Sequence, residues 1–560
     1  MSLEKFVPDS SVTRRQFFRN SVCTGTALVG VPTIVDGQTI DHREALRRRK
    51  RRITVQHDVY HVMRNYSKLH GADQAPFDLF RDAVFSYVDE PGSQIDAIWW
   101  DIGGNTVGAV YPSDVLPPVE HPLLKSWLGK GVDWVAELVN ETRRRKLEVF
   151  WNHRISAADG YAQGGLNKTH LHPLKKAHPD WTTPCWWWQG MWNLAAEGLR
   201  EHKIAELREL ATRYDLDGIQ IDFARHIPCL PAGKQWEMRE HVTEFMRMLR
   251  EMLDEVGQTR GRPLLVAARV PRNLKGCRAD GFDIAAWGDQ KLVDILTLGS
   301  RSMDVDVEDF RKTAGDSVQL QPCFDDHHAT DGYRYGSIDF LHGVFSNYWQ
   351  RGANSVMTFN WSIGTPEVAK SVGGEIGPLT QQVAYREIGD LVTMTGKNKM
   401  FAVERRGGYP WADGFLNRND TAVLPALLPE DGKAIKLLLH ISDGPSAANA
   451  ILTLRCILFQ AASDDSFDIR INDVKLAVTL SDSEWKDAQI FSPSPQRTSG
   501  GTGQYKINPN QQLLRLDCTV PNEAWKQGAN RVAIRLLSRA NDAGKDLIQL
   551  EKLEAHLRYG

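Results

Sequence analysis

Long apolar runs, paired-cysteine motifs and an excess of either charge are all missing from this 560-residue chain. Beyond its first 35 residues no stretch reaches the roughly 18 apolar residues that cross a bilayer, so no membrane span is expected. Lys and Arg number 68 against 70 Asp and Glu, which leaves neither a global basic field nor an acidic tail. Nucleic acid is therefore not an expected partner. The one basic run, "REALRRRKRR" from Arg43 to Arg52, reads as a solvated linker ahead of the first domain. Seven cysteines are present without a Cys-x-x-Cys spacing, which argues against zinc or iron–sulfur. Cys456 and Cys518 lie in strand-like runs and are open either to pairing or to remaining buried thiols. A phosphate loop, a Gly-x-Gly-x-x-Gly fingerprint and a nucleophile elbow are also absent, and no cofactor is expected.

What is present begins with an address. "SVTRRQFFRN" carries the pair Arg14-Arg15 followed by Phe17 and Phe18, and Ser21 to Val35 then holds no charge. The pattern resembles a twin-arginine export signal, which is read by a receptor and stands outside the fold. It implies a signal over residues 1–38, a basic linker over 39–51 and a soluble mature protein in the periplasm or outside the cell.

From about residue 52 to 395 one rhythm repeats: an apolar run ending in polar residues, a loop, then a helical pattern. The eight runs are "ITVQHD", "IDAIWWDIGG", "LEVFWNHR", "GIQIDFAR", "LLVAARVP", "VDILTLGS", "VQLQPCFDD" and "ANSVMTFNW". Helical periodicity marks Phe77–Glu90, Val132–Arg145, Ala195–Arg213, Lys234–Val256 and Ile338–Arg351 between them. Eight alternating units predict an α/β chain whose barrel is of the (β/α)8 TIM type. Beyond residue 396 the pattern changes to short alternating runs with a turn at Asn472-Asp473 and a polar stretch, "SPSPQRTSGGTGQ", that reads as a mobile loop. A β-sandwich over 396–560 is expected there.

In such a barrel the carboxyl ends of the strands share one mouth, where polar residues have little packing reason to be. That mouth is expected to hold His57, Asp58, Asp101, Asn152, His153, Arg154, Asp222, Arg225, His226, Arg269 and Arg301. It continues with Asp325, Asp326, His327, His328, Asn360 and Trp361. Each Asp alone could be no more than a helix cap, yet nearly all eight strand ends are polar. Fourteen of the 17 Trp precede residue 396. Several, Trp100 and Trp361 among them, fall near the mouth, and "PCWWWQGMW", with Trp187 at its centre, reads as a wall of a cleft over Ser156 to Asn193. Flat indoles flanked by Asp, Asn, Arg and His suit sugar rings, so the expected partner is a glycan.

The stretch "YDLDGIQIDFARHIP", with "HPDW", "DDHHATDGY" and "GANSVMTFNW", resembles the bacterial glycosyl-hydrolase-like barrel family of the glycosyl hydrolase-like 10 type. The resemblance covers roughly residues 52–395 and implies a glycosidase-type barrel with Asp222 at the end of its fourth strand. This chain departs from better-known glycosidase barrels in having no Glu directly at the end of the fourth or seventh strand. Glycoside hydrolysis needs two carboxyl groups, one to protonate the leaving oxygen and one to attack or to activate water. Asp222 suits the second role, with Arg225 and His226 expected to keep it charged. Asp325 and Asp326 are the first choices for the proton donor, with Asp101 and Asp304 behind them. Asp58, Trp100, Asp101, Asn152, His153, Trp187, Arg225, His226, Arg269, Arg301, His328, Asn360 and Trp361 are the expected substrate contacts. A cation held by His57, Asp58, His153 and His328 is a weaker reading, since no His-x-His or His-x-x-x-His spacing marks a zinc site, and no metal is expected. Two other functions stay open: a carbohydrate-binding barrel without turnover, and a polysaccharide lyase using His153, Tyr60 or Arg301.

Overall fold

The computed structural model describes residues 36–560 except 60–62, 64–65, 68–69, 72–74, 102–107, 119–120, 157–172, 186–188, 300–301, 326–331, 334–335, 360, 362–377, 406–421, 446–449, 488–489, 491–508 and 541–545. The twin-arginine motif and the "SPSPQRTSGGTGQ" stretch lie outside the described residues.

Eight parallel strands close into a barrel in chain order: β1 (Ile53–Asp58), β2 (Ile95–Asp101), β3 (Glu148–Arg154), β4 (Gly218–Asp222), β5 (Leu265–Val270), β6 (Ile295–Leu298), β7 (Gln319–Asp325) and β8 (Val356–Phe359). Each falls inside one of the eight runs read from the sequence. Both faces of every strand are covered, which is why the runs are nearly continuously apolar. On the outer face Ile98, Val149, Ile221 and Phe324 join the helices in one large core. On the inner face Ala97, Trp99, Phe150, Leu265, Met357 and Phe359 form a separate cluster in the lumen. Trp99 and Phe150 stack there at 4.3 Å. Gly218 faces that stack, because a Cβ would lie 2.5 Å from the Phe150 ring and 2.4 Å from the Leu265 carbonyl oxygen. The helices between strands include Phe77–Phe85, Trp134–Arg144, Glu197–Arg213, Glu240–Arg260 and Ile338–Gln350. The second begins later than its periodicity predicts because the Asp133 side chain accepts the Ala136 N–H and caps it at that point.

The basic run is not a solvated linker. Arg43 donates to Asp294 at 2.9 Å, Arg51 grips both oxygens of Glu148 at 2.6 to 2.9 Å, and Arg52 holds both oxygens of Asp96 at 2.8 and 2.9 Å. These acids stand at the amino ends of β6, β3 and β2, so the segment belongs to the barrel floor. Arg51 also donates to the carbonyls of Leu46, Arg47 and Arg49. Both Arg51 and Glu148 are buried, and the Trp99 indole donates to the same carboxylate at 3.3 Å.

The C-terminal residues form two antiparallel sheets around one apolar core, as a sandwich. One sheet is built on Ala450–Phe459, Leu513–Val520 and Gln549–Tyr559, the other on Ile435–Ile441, Ser466–Ile471 and Gly528–Ser538. Asn472 and Asp473, with φ of 45° and 71°, make the tight turn their sequence predicts. Cys456 and Cys518 are unbridged and buried. The sandwich packs closely on the barrel. A Cβ on Gly343 of the barrel helix Ile338–Gln350 would lie 2.0 Å from the Met400 carbonyl oxygen. Glu404 accepts the backbone N–H groups of Met303 and Asp304 at 2.9 and 2.8 Å, and Tyr333 donates to Glu554 at 3.0 Å. The sandwich thus grips the loops that follow β6 and β7. Among the described residues no helix is long and apolar enough to cross a membrane.

Removing Arg51 leaves Glu148 charged, buried and without its guanidinium. Arg51→Met is expected to lower unfolding free energy by about 3–5 kcal/mol, whereas the exposed Arg48→Met should change it by under about 0.5 kcal/mol. Urea unfolding of the two variants beside the wild type checks the difference.

Candidate active site

Strand alternation decides which end residues see the lumen. Asp58, Asp101, Asn152, Arg154, Asp222, Arg269 and Asp325 share the inward parity of the lumen residues in their strands. In register, Asp58 lies beside Asp101 and Asp101 beside Asn152, while Arg154 flanks Asp222 and Asp222 flanks Arg269. Asp325 lies beside Phe359. Toward the floor the lumen is crossed by a polar ladder. Gln220 donates to Thr297 at 2.7 Å, Thr297 to Gln321 at 2.9 Å, and Gln321 to Thr54 and Ser355 at 2.9 and 3.0 Å.

Asp222 is buried among donors. Arg269 Nε donates to its Oδ1 at 2.9 Å and Arg269 Nη2 bonds its Oδ2, while the backbone N–H groups of Ala224 and Arg225 reach Oδ1 at 3.1 Å. Arg269 thus pairs with Asp222, a partner that the sequence order, which pointed to Arg225 and His226, did not suggest. Arg225 contributes its backbone, and its guanidinium lies 6.0 Å from the Phe359 ring. His226 stands in the left-handed region at φ 59°, directly after that turn. Arg269 lies over the other reach of Phe359 at 4.3 Å. Burial would lower the Arg269 pKa, but Asp222 outweighs it and the shift is upward.

Asp101 is in a different situation. Its Oδ2 accepts from Gln56 at 2.8 Å and from Arg154 at 2.8 and 3.0 Å, yet its Oδ1 has no hydrogen-bond partner among the described residues. Arg154 also serves Asp58 at 2.8 Å, so one guanidinium answers two carboxylates. Burial pushes the Asp101 pKa up, Arg154 opposes, Asp58 and Asp222 add to the rise, and the result is about 6. The mouth thus combines a carboxyl that carries a proton close to neutral pH with a carboxylate surrounded by donors. A carboxyl raised in this way is what an acid role requires.

Other expected site residues are placed elsewhere. His153 has the outward parity of Trp151 and faces the helix Glu197–Arg213, with Nε2 3.8 Å from Glu206, and burial with nearby Lys203 pulls its pKa down to about 4. Trp100 also faces outward, donating to Thr142 at 3.1 Å and packing on Phe85. Trp361 is fully buried against Phe324, Phe345 and Tyr385, so neither indole is a sugar platform. His57 turns outward to Tyr87 at 3.0 Å. His57 and His153 therefore lie on the opposite strand face from Asp58, which separates the expected cation ligands. Asp304 is ion-paired to Arg351 at 2.5 Å beneath the sandwich. Asp326, Arg301, His328, Trp187, Asn360 and Tyr60 lie outside the described residues. The arginine that bridges Asp58 to Asp101 and the Gln–Thr ladder were not singled out as interacting groups. Their signal was polar residues at every second position of "ITVQHD", "GIQID" and "VQLQPCFD".

No curated protein sequence matches the chain. Among solved structures it is similar to a noncanonic maltogenic alpha-amylase from Thermotoga neapolitana, with 12% identity over 87% of this chain and 99% of that one and a TM-score of 0.35. An alpha-L-fucosidase from Vibrio sp. strain EJY3 gives 11% identity over 94% and 99% of the two chains and a TM-score of 0.38. An alpha-amylase from Anoxybacillus gives 10% identity over 88% and 99% and a TM-score of 0.36. Residues 88–235, which run from before β2 to beyond β4 and contain Asp101, Asn152, Arg154 and Asp222, match the family described as Glycosyl hydrolase-like 10.

Proposed function

We propose that the barrel hydrolyses glycosidic bonds of a glycan, with Asp222 as nucleophile or base and Asp101 as proton donor. The observation that carries the reading is the contrast between these two carboxyls. Among the described residues Asp222 accepts from Arg269 and from the backbone N–H groups of Ala224 and Arg225, while Asp101 in the same lumen has one oxygen without a partner there. Asp101 takes precedence over Asp325 and Asp326 as donor because burial and two neighbouring carboxylates favour its protonated form.

A lyase is less well supported. Such an enzyme must neutralise the carboxylate of a uronate, and the lumen arginines Arg154 and Arg269 are already engaged by Asp58, Asp101 and Asp222. Of the groups expected for it, His153 faces the helix layer, and Tyr60 and Arg301 lie outside the described residues.

Purified mature protein, screened on a panel of dinitrophenyl glycosides and glycans with products resolved by mass, tests the proposal. Asp222→Asn should lower kcat by about three orders of magnitude or more on every accepted substrate. Asp101→Asn should cost as much on natural linkages but far less on dinitrophenyl glycosides, which leave without protonation. The donor works only while protonated, so kcat/KM should fall as pH rises through about 6, and this limb should be missing for dinitrophenyl substrates. Near-normal turnover in Asp222→Asn would leave a carbohydrate-binding barrel as the better reading. Export by the twin-arginine route belongs to the same proposal. Arg14-Arg15 changed to Lys-Lys should strand the protein in the cytoplasm, and unaltered export in cell fractionation would remove the claim.

A further inference from the structure

Three lumen side chains on different strands hold hydrogen-bonding atoms without a partner among the described residues. Asn152 on β3 is 1% exposed, and neither its Oδ1 nor its Nδ2 has a partner among the described residues. Its register neighbours are Asp101 on β2, whose Oδ1 is likewise without a partner, and Gln220 on β4. On β5 the Nη1 of Arg269 is the third such group, its other nitrogens being bonded to Asp222. A buried amide with both ends unanswered is disfavoured unless a ligand or solvent answers it. Together the three offer an acceptor at Asn152, donors at Asn152 and Arg269, and a carboxyl oxygen at Asp101 that donates when protonated and accepts when ionised, and a hydroxyl, which donates and accepts at once, matches such a mixed set. A carboxylate does not match it. It would need donors alone, and would meet the Asn152 carbonyl oxygen and the Asp222 carboxylate beside the donors of this set.

We infer that Asp101 Oδ1, the Asn152 amide and Arg269 Nη1 form a subsite that reads ring hydroxyls and selects an uncharged sugar over a uronate, with Asn152 as its positioning residue. The inference rests on the proposal that the mouth takes a glycan, and it adds the class of sugar. Asn152 takes no part in proton transfer: its amide fixes the ring so that the scissile bond lies between Asp101 and Asp222.

The test uses saturation-transfer NMR on the full chain and on Asp222→Asn. The probes are D-glucose, D-galactose, D-mannose, L-fucose and N-acetyl-D-glucosamine, with D-glucuronate and D-galacturonate as the charged counterparts. At least one neutral sugar should bind both proteins, and for the glucose or galactose pair the uronate should bind at least tenfold more weakly. Asn152→Ala should keep the melting midpoint of the wild type and lose binding at least tenfold. It should also lose the distinction between the bound sugar and one of its monodeoxy forms, a distinction that a purely structural residue would not control. The inference is overturned if no neutral sugar binds, if uronates bind as tightly, or if Asn152→Ala keeps the full deoxy discrimination. Sugar binding that passes these tests while no glycoside is turned over would refute the hydrolase proposal and leave the subsite standing.

Discussion

A carboxylate in a dry barrel lumen survives only where donors converge on it, and this barrel gathers Asp58, Asp101, Asp222 and Asp325 at its mouth. Arg154 and Arg269 are therefore placed by electrostatics as much as by packing, since an unpaired buried charge would unfold the strands that carry it. Arg269 bonds Asp222 through both Nε and Nη2. Arg154 is divided between two acids and offsets only part of the effect of burial, which leaves the Asp101 pKa raised.

The same constraint reaches the floor. The lumen is polar at the mouth and crossed by Gln220, Thr297 and Gln321, so its apolar cluster around Trp99 and Phe150 shares the interior with a polar layer. The Trp99–Phe150 stack and the Arg51–Glu148 pair close its lower end. Rigidity at the floor holds the strand ends in register, and register sets which side chains meet above.

Eight strand positions and the sandwich were legible because apolar period and turn residues are local signals. The strand ends were legible as a set, but their direction was not, since a list of polar residues ignores parity. His57, Trp100 and His153 are one residue out of phase with Asp58, Asp101 and Asn152, and that single step turns them into the helix layer. The partner of Asp222 was missed for a related reason. Arg225 is near in sequence, whereas Arg269 is near only once β4 and β5 pair. The basic run misled because its composition suited a solvated linker, while the acids it answers, Asp96, Glu148 and Asp294, are scattered over some 200 positions and look ordinary one at a time.

The contact at Gly343 carries a consequence for ancestry. Where two domains meet through side chains, recombination can exchange one of them and repair the seam by a few later substitutions. Here helix backbone meets strand backbone with no room for a methyl group, and Glu404 reaches from the sandwich into the loop after β6. A donor sandwich would have to reproduce that main-chain path before any side chain could adapt. Barrel and sandwich should therefore travel together through gene histories, and a phylogeny drawn from either half should give the same tree.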